Sequence, residues 1–98
     1  MKASEIAQKA ASLVDGDREK THGDKRVNFE NIAAYWNAFL GMTDRGFVEL
    51  SGADVAKMMA LLKLARMESG EFNADDAIDG CGYISIAGEL STPLEAVR

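Results

Sequence analysis

One proline, one cysteine, one histidine and one tryptophan are all that the 98-residue chain holds of these four residue types. With so little proline, long stretches are free to form uninterrupted helix. The single cysteine, Cys81, excludes an internal disulfide and fits a reducing compartment. One cysteine and one histidine cannot supply a zinc site of the usual N/S type. No apolar run is long enough to span a bilayer, and the start, MKASEIAQKAA, is too polar for a signal peptide. Positive charge is also scarce: 11 Lys and Arg stand against 16 Asp and Glu, a formal net charge of -5. That balance argues against a general nucleic-acid binder, which needs a basic surface. It leaves room for a small phosphorylated ligand held by a local basic cluster. The expectation is a cytoplasmic protein with no membrane partner.

What is abundant points to helices in a single domain over residues 1–98, ending in a short tail at 91–98. Ile6, Ala10, Leu13 and Val14 recur at helical spacing and predict a helix over Ser4 to Val14 with a narrow apolar face. Phe29, Ile32, Trp36, Phe39 and Leu40 form one broad stripe of a second helix, from Asp24 or Lys25 to Leu40, with Gly41 as its stop. Met42 to Leu50 reads as a loop. Ser51 and Asp54 are spaced as a variant capping box opening a third helix that runs to about Ser69. Val55, Met58, Leu61, Leu62 and Ala65 make one apolar face of it; Ala56, Ala60, Leu64 and Met67 make another. A helix apolar on two sides is central, or is covered by a second subunit. Asn73 is a good N-cap for a fourth helix reaching Leu90. The expected architecture is an all-α, compact bundle of about four helices, completed by oligomerisation.

Two groups of charged residues carry the candidate chemistry. The stretch DGDREKTHGDKR, 15–26, places Arg18, Lys20, His22 and Lys25 near the start of the second helix, whose free N–H groups favour anions. With Asn28 on that helix's flank, and with Lys63 and Arg66 on the third, these residues form a candidate phosphate-binding set. The plainer reading makes 15–26 a solvated connector and Asn28 a satisfied structural group. In the fourth helix Asp75, Asp76 and Asp79 fall on the same face as Tyr83, Ile86 and Leu90. Carboxylates at the mouth of an apolar stripe need a cation, a basic partner or exposure. Asp76 and Asp79, spaced i, i+3, reach one ion, and Asp75 or Asp54 is the candidate for a third ligand. Oxygen-only ligands suit Mg²⁺ or Mn²⁺, and Mg²⁺ bridges to substrate phosphates. The plainer reading is again available, since acids in a first helical turn complement the dipole. Gly80 and Gly82 in mid-helix predict close approach of another helix. Cys81 lies away from His22 in sequence and carries no nucleophile signature.

The chain resembles a family of small phage and prophage proteins defined only as a domain of unknown function. The resemblance covers Asp15 to Glu89. It rests on GDREKTHGD at 16–24, NFENIAAYW at 28–36, DVAKMMALLKLAR at 54–66, and the pattern of Asp79, Gly82 and Tyr83. The chain is also similar, more distantly, to all-α MazG-like nucleotide pyrophosphohydrolases. Those carry Glu-x-x-Glu on one helix and Glu-x-x-Asp on the next to bind Mg²⁺, and they assemble as dimers or tetramers. Asp76-x-x-Asp79 looks like the second motif. Where the first belongs, on the third helix, Asp54 is followed by Lys57 instead. The resemblance implies a Mg-dependent hydrolase of a nucleotide or phosphorylated metabolite. The alternative is a non-catalytic oligomeric protein that sequesters a nucleotide or engages a host protein.

Overall fold

The structure, a computed structural model, describes residues 1–15, 24–43 and 48–94. Among these residues it is all-α. The helices are α1 (Ala3–Asp15), α2 (Lys25–Thr43), α3 (Gly52–Met67) and α4 (Ala74–Ser91). All four expected helices form. α2 runs past its expected end, through Gly41 to Thr43. Among the described glycines only Gly70, just beyond α3, adopts the left-handed conformation (φ 66°) that ends a helix. Gly41 keeps helical geometry and does not act as the stop. In the C-terminal tail, α4 includes Ser91 and is closed by Thr92, whose N–H donates to the Glu89 carbonyl.

The helix ends show how the sequence holds the elements in place. Ser51 and Asp54 form the reciprocal capping box: the Asp54 N–H donates to Ser51 Oγ at 3.1 Å, and the Ser51 N–H donates to Asp54 Oδ2 at 3.0 Å. A second acceptor for the α3 N-terminus comes from α2, where Glu30 Oε1 takes the Gly52 N–H at 3.0 Å. Asn37 on α2 clasps Leu50 from both sides, donating to its carbonyl at 3.0 Å and accepting its N–H at 2.7 Å. The lead into α3 is therefore tied to α2 twice. Asn73 caps α4 by accepting the Asp75 N–H at 2.9 Å. At the other end of α4, Arg26 donates to the carbonyls of Glu89 at 3.3 Å and Leu90 at 3.4 Å, where the helix dipole favours a cation.

α4 packs on α3 and α1, and α3 packs on α2. The central cluster joins Phe29 and Ala33 of α2, Val55 and Ala56 of α3, and Ile86, Ala87 and Leu90 of α4. Tyr83 meets Phe29 edge to face, with centroids 6.2 Å apart. The inner side of α3 draws on small members of both predicted apolar faces: Val55, Ala56 and Ala60 are buried, together with Gly52 at the helix start. Its large members point outward, with Leu61 63% exposed and Leu64 53% exposed. Helices packed at the usual 8–10 Å separation leave room for alanine at the contact, and leucine is displaced to the sides. The chain is a flat slab of 43 × 39 × 23 Å.

Candidate functional site

α3 and α4 place two charged pairs opposite each other. Lys63 and Arg66 lie one turn apart near the end of α3; Asp76 and Asp79 lie one turn apart near the start of α4. The Lys63 ammonium stands 3.1 Å from Asp79 Oδ2 and 4.0 Å from Asp76 Oδ1. Arg66 Nε stands 3.3 Å from the same Asp76 oxygen. The Asp76 side chain is 8% exposed and that of Lys63 13%, whereas Arg66 is 57% exposed. Asp76 is the deepest charge of the group, and it is the one that meets both cations. That is the arrangement a buried carboxylate needs, because desolvation is offset only by close opposite charge. Asp75, in the same first turn, is exposed.

The other predicted residues do not join this group. Asp54 sits at the opposite end of α3, twelve residues before Arg66, or ~18 Å along the axis at the α-helical rise. There the Ser51 backbone N–H, with help from its hydroxyl, holds the Asp54 carboxyl below its ordinary value of 3.8. Asp54 is a cap and cannot share an ion with Asp76 and Asp79. Among the described residues no three His, Cys, Asp or Glu side chains cluster in a way that could hold a metal ion. Lys25 lies at the far end of α4, with Glu89 at 3.5 Å and Asp15 at 3.8 Å, so it ties α2 to α4 and to α1. Asn28 is half-buried on α2. Arg18 and His22 lie outside the described residues. The predicted phosphate set thus splits between the two ends of α4, with Lys63 and Arg66 at one and Lys25 at the other.

Two clefts flank the charged group. One, of about 330 Å³ between α1 and α4, is lined by Lys9, Ser12, Asp75 and Asp79 among others. The second, of about 350 Å³, lies in the outer groove between α3 and α4, with Leu64, Met67 and Ile84 on its walls and Lys63 and Asp76 at its base. Arg26, Glu30 and Asn37 were missed as structural ties by sequence pattern. Their partners are backbone groups more than 60, 22 and 13 residues away respectively, which no local spacing encodes.

Residues 5–91 match the domain of unknown function DUF6378, and the chain belongs to that family. Its relatives are phage proteins. The chain is 35% identical over 88 residues to the Gene 55 protein of Mycobacterium phage L5, covering 90% of this chain and 53% of that protein. It is 35% identical over 78 residues to the Gene 55 protein of Mycobacterium phage D29, covering 80% of this chain and 48% of that protein. The chain spans about half the length of these curated relatives. No solved structure matches it. Among the described residues no helix is long and apolar enough to cross a membrane.

Proposed function

We propose that this phage-family protein is a non-catalytic, homo-oligomeric binding protein that sequesters a nucleotide or engages a host protein. The observation that carries this reading is the charge pairing across α3 and α4. In the MazG-like hydrolases that the chain resembles, an acidic pair faces a second acidic pair, and a divalent metal sits between them. Here Asp76-x-x-Asp79 faces Lys63-x-x-Arg66, with contacts of 3.1 to 4.0 Å. The ammonium and guanidinium supply from within the chain the positive charge that a metal would bring. Both carboxylates are thereby paired within the chain, so neither depends on a metal for charge balance. Calorimetry with Mg²⁺ and with a panel of nucleoside triphosphates tests this, with chromatography of the nucleotide products. The expected result is no saturable metal uptake and no turnover. Mg²⁺ binding accompanied by release of pyrophosphate overturns it.

A second reading, a Mg-dependent hydrolase of a nucleotide or phosphorylated metabolite, is favoured by one observation. Asp79 is 24% exposed and opens onto the α1–α4 cleft beside Asp75. In that reading Asp76 and Asp79 would hold the metal, and Lys63 and Arg66 would hold substrate phosphate. The same calorimetric experiment separates the two readings.

A further inference from the structure

We infer that the outer face of the α3–α4 hairpin is the seam of a two-fold homodimer, with Cys81 near the symmetry axis. This deepens the oligomeric part of the reading above by naming the surface and its occupant, a second copy of this chain.

Among the described residues five of the ten buried hydrophobic ones are alanines, while Leu61, Leu64, Met67 and Ile84 are 63%, 53%, 37% and 62% exposed. These four lie together on one side of the hairpin, and three of them line the 350 Å³ groove or its walls. Isolated exposed leucines are unremarkable, but a continuous apolar face on two adjacent helices marks an interaction surface. On α4 the same side carries Ala77, Cys81, Ile84 and Gly88, spaced as one helical stripe. A side chain at Gly88 would meet nothing within 4 Å, and one at Gly80 would meet only the Lys63 Cβ at an ordinary 3.5 Å. Packing within the chain therefore does not call for glycine at either place, although each weakens the helix. A close-packed neighbour supplies the reason.

The size of the face suits a second copy. Helices of 16 and 18 residues are ~25 Å long, and two side by side are ~20 Å across. Burying that face removes an area on the order of the ~800 Å² per partner found in stable complexes. Its charges are also self-complementary. Along α3 and its C-cap the outward stripe reads Lys57, Leu61, Leu64, Glu68, with both charged ends exposed. A two-fold axis crossing the helices runs one α3 antiparallel to the other and sets Lys57 of each copy against Glu68 of the other. The midpoint between residues 57 and 68 falls beside Lys63. Lys63 is level with Gly80, so the axis passes α4 close to Cys81. The charge pattern and the position of the small residues thus select the same axis.

Light scattering on the purified chain, with three variants, tests this. The wild type is expected at twice the 10.6 kDa chain mass. Gly88→Leu has room in the single chain, so it should keep its helix content by circular dichroism while the dimer constant weakens at least ~100-fold. Glu68→Lys should weaken association, and Lys57→Glu combined with Glu68→Lys should restore it. A short bismaleimide should link wild-type chains through Cys81 and fail to link Gly88→Leu. A monomeric wild type overturns both this inference and the oligomeric reading. A dimer that survives Gly88→Leu and the Glu68→Lys charge reversal and is not cross-linked at Cys81 overturns the named face alone. If Gly88→Leu loses helix content, the charge swap and the cross-link decide by themselves.

Discussion

Replacing Lys63 with methionine removes the ammonium between Asp76 and Asp79 and keeps a stem of similar length. The aliphatic stem of Lys63 also packs beside Gly80, and methionine preserves that contact. After the change, Asp76 at 8% exposure retains only Arg66 at 3.3 Å, and Asp79 loses its contact at 3.1 Å. Breaking a fully buried ion pair costs ~3–5 kcal/mol, and an exposed pair contributes ~0–1 kcal/mol. Two features place this site between the limits. Arg66 still neutralises Asp76, and Asp79 at 24% exposure can recover hydration. A loss of ~2 kcal/mol follows. For a domain of this size that lowers the melting temperature by ~8–16 °C. Thermal and urea unfolding followed by circular dichroism measure it, and a cycle with Asp79→Leu should return a coupling of ~1 kcal/mol between the two positions. A loss below ~0.5 kcal/mol would refute the reasoning, because it would mean that water already satisfies both carboxylates.

Asn37→Ala removes both hydrogen bonds to Leu50 and should cost ~1–3 kcal/mol by chemical denaturation, with hydrogen exchange rising first at the start of α3. Arg26→Ala frees the last carbonyls of α4 and should cost ~1 kcal/mol, with Arg26→Lys recovering part of it through the dipole. The Asp54 carboxyl titrates below its ordinary 3.8 in the folded chain because of the Ser51 N–H. A depressed folded-state value means that its contribution is present above the unfolded value and is lost as pH falls through the folded one. Asp54→Asn should therefore flatten the fall in stability below about pH 4 in an acid titration, and an unchanged acid limb would count against the capping role.

The helices were readable because each is written locally. Ser51 with Asp54, and Asn73 with Asp75, are start signals contained within four residues, and the structure uses both. Gly41 does not end α2, because a glycine favours a helix stop through a left-handed conformation and nothing local to Gly41 imposes one. Which side of α3 faces inward was also hidden. Both of its stripes are apolar, and the choice fell to the small residues that let α2 and α4 approach. At the site, the i, i+3 spacings of Asp76 with Asp79 and of Lys63 with Arg66 were visible as separate pairs. Their meeting depends on the register of α3 against α4, set by Val55, Ala56 and Ile86 in the core. Grouping Lys25 with Lys63 and Arg66 failed for the same reason: all are cations, and only the fold shows that they serve opposite ends of α4.

The central claim is that Lys63 and Arg66 already occupy the charge position a metal would take. Melting of the wild-type chain during a Mg²⁺ titration tests it most directly. A site with a dissociation constant near 0.1 mM would stabilise the fold by about 2.7 kcal/mol at ~10 mM Mg²⁺, a shift on the order of 10 °C. The expected result is a melting temperature that stays flat across the titration. A saturating rise of that size, lost in Asp79→Asn, would contradict the account.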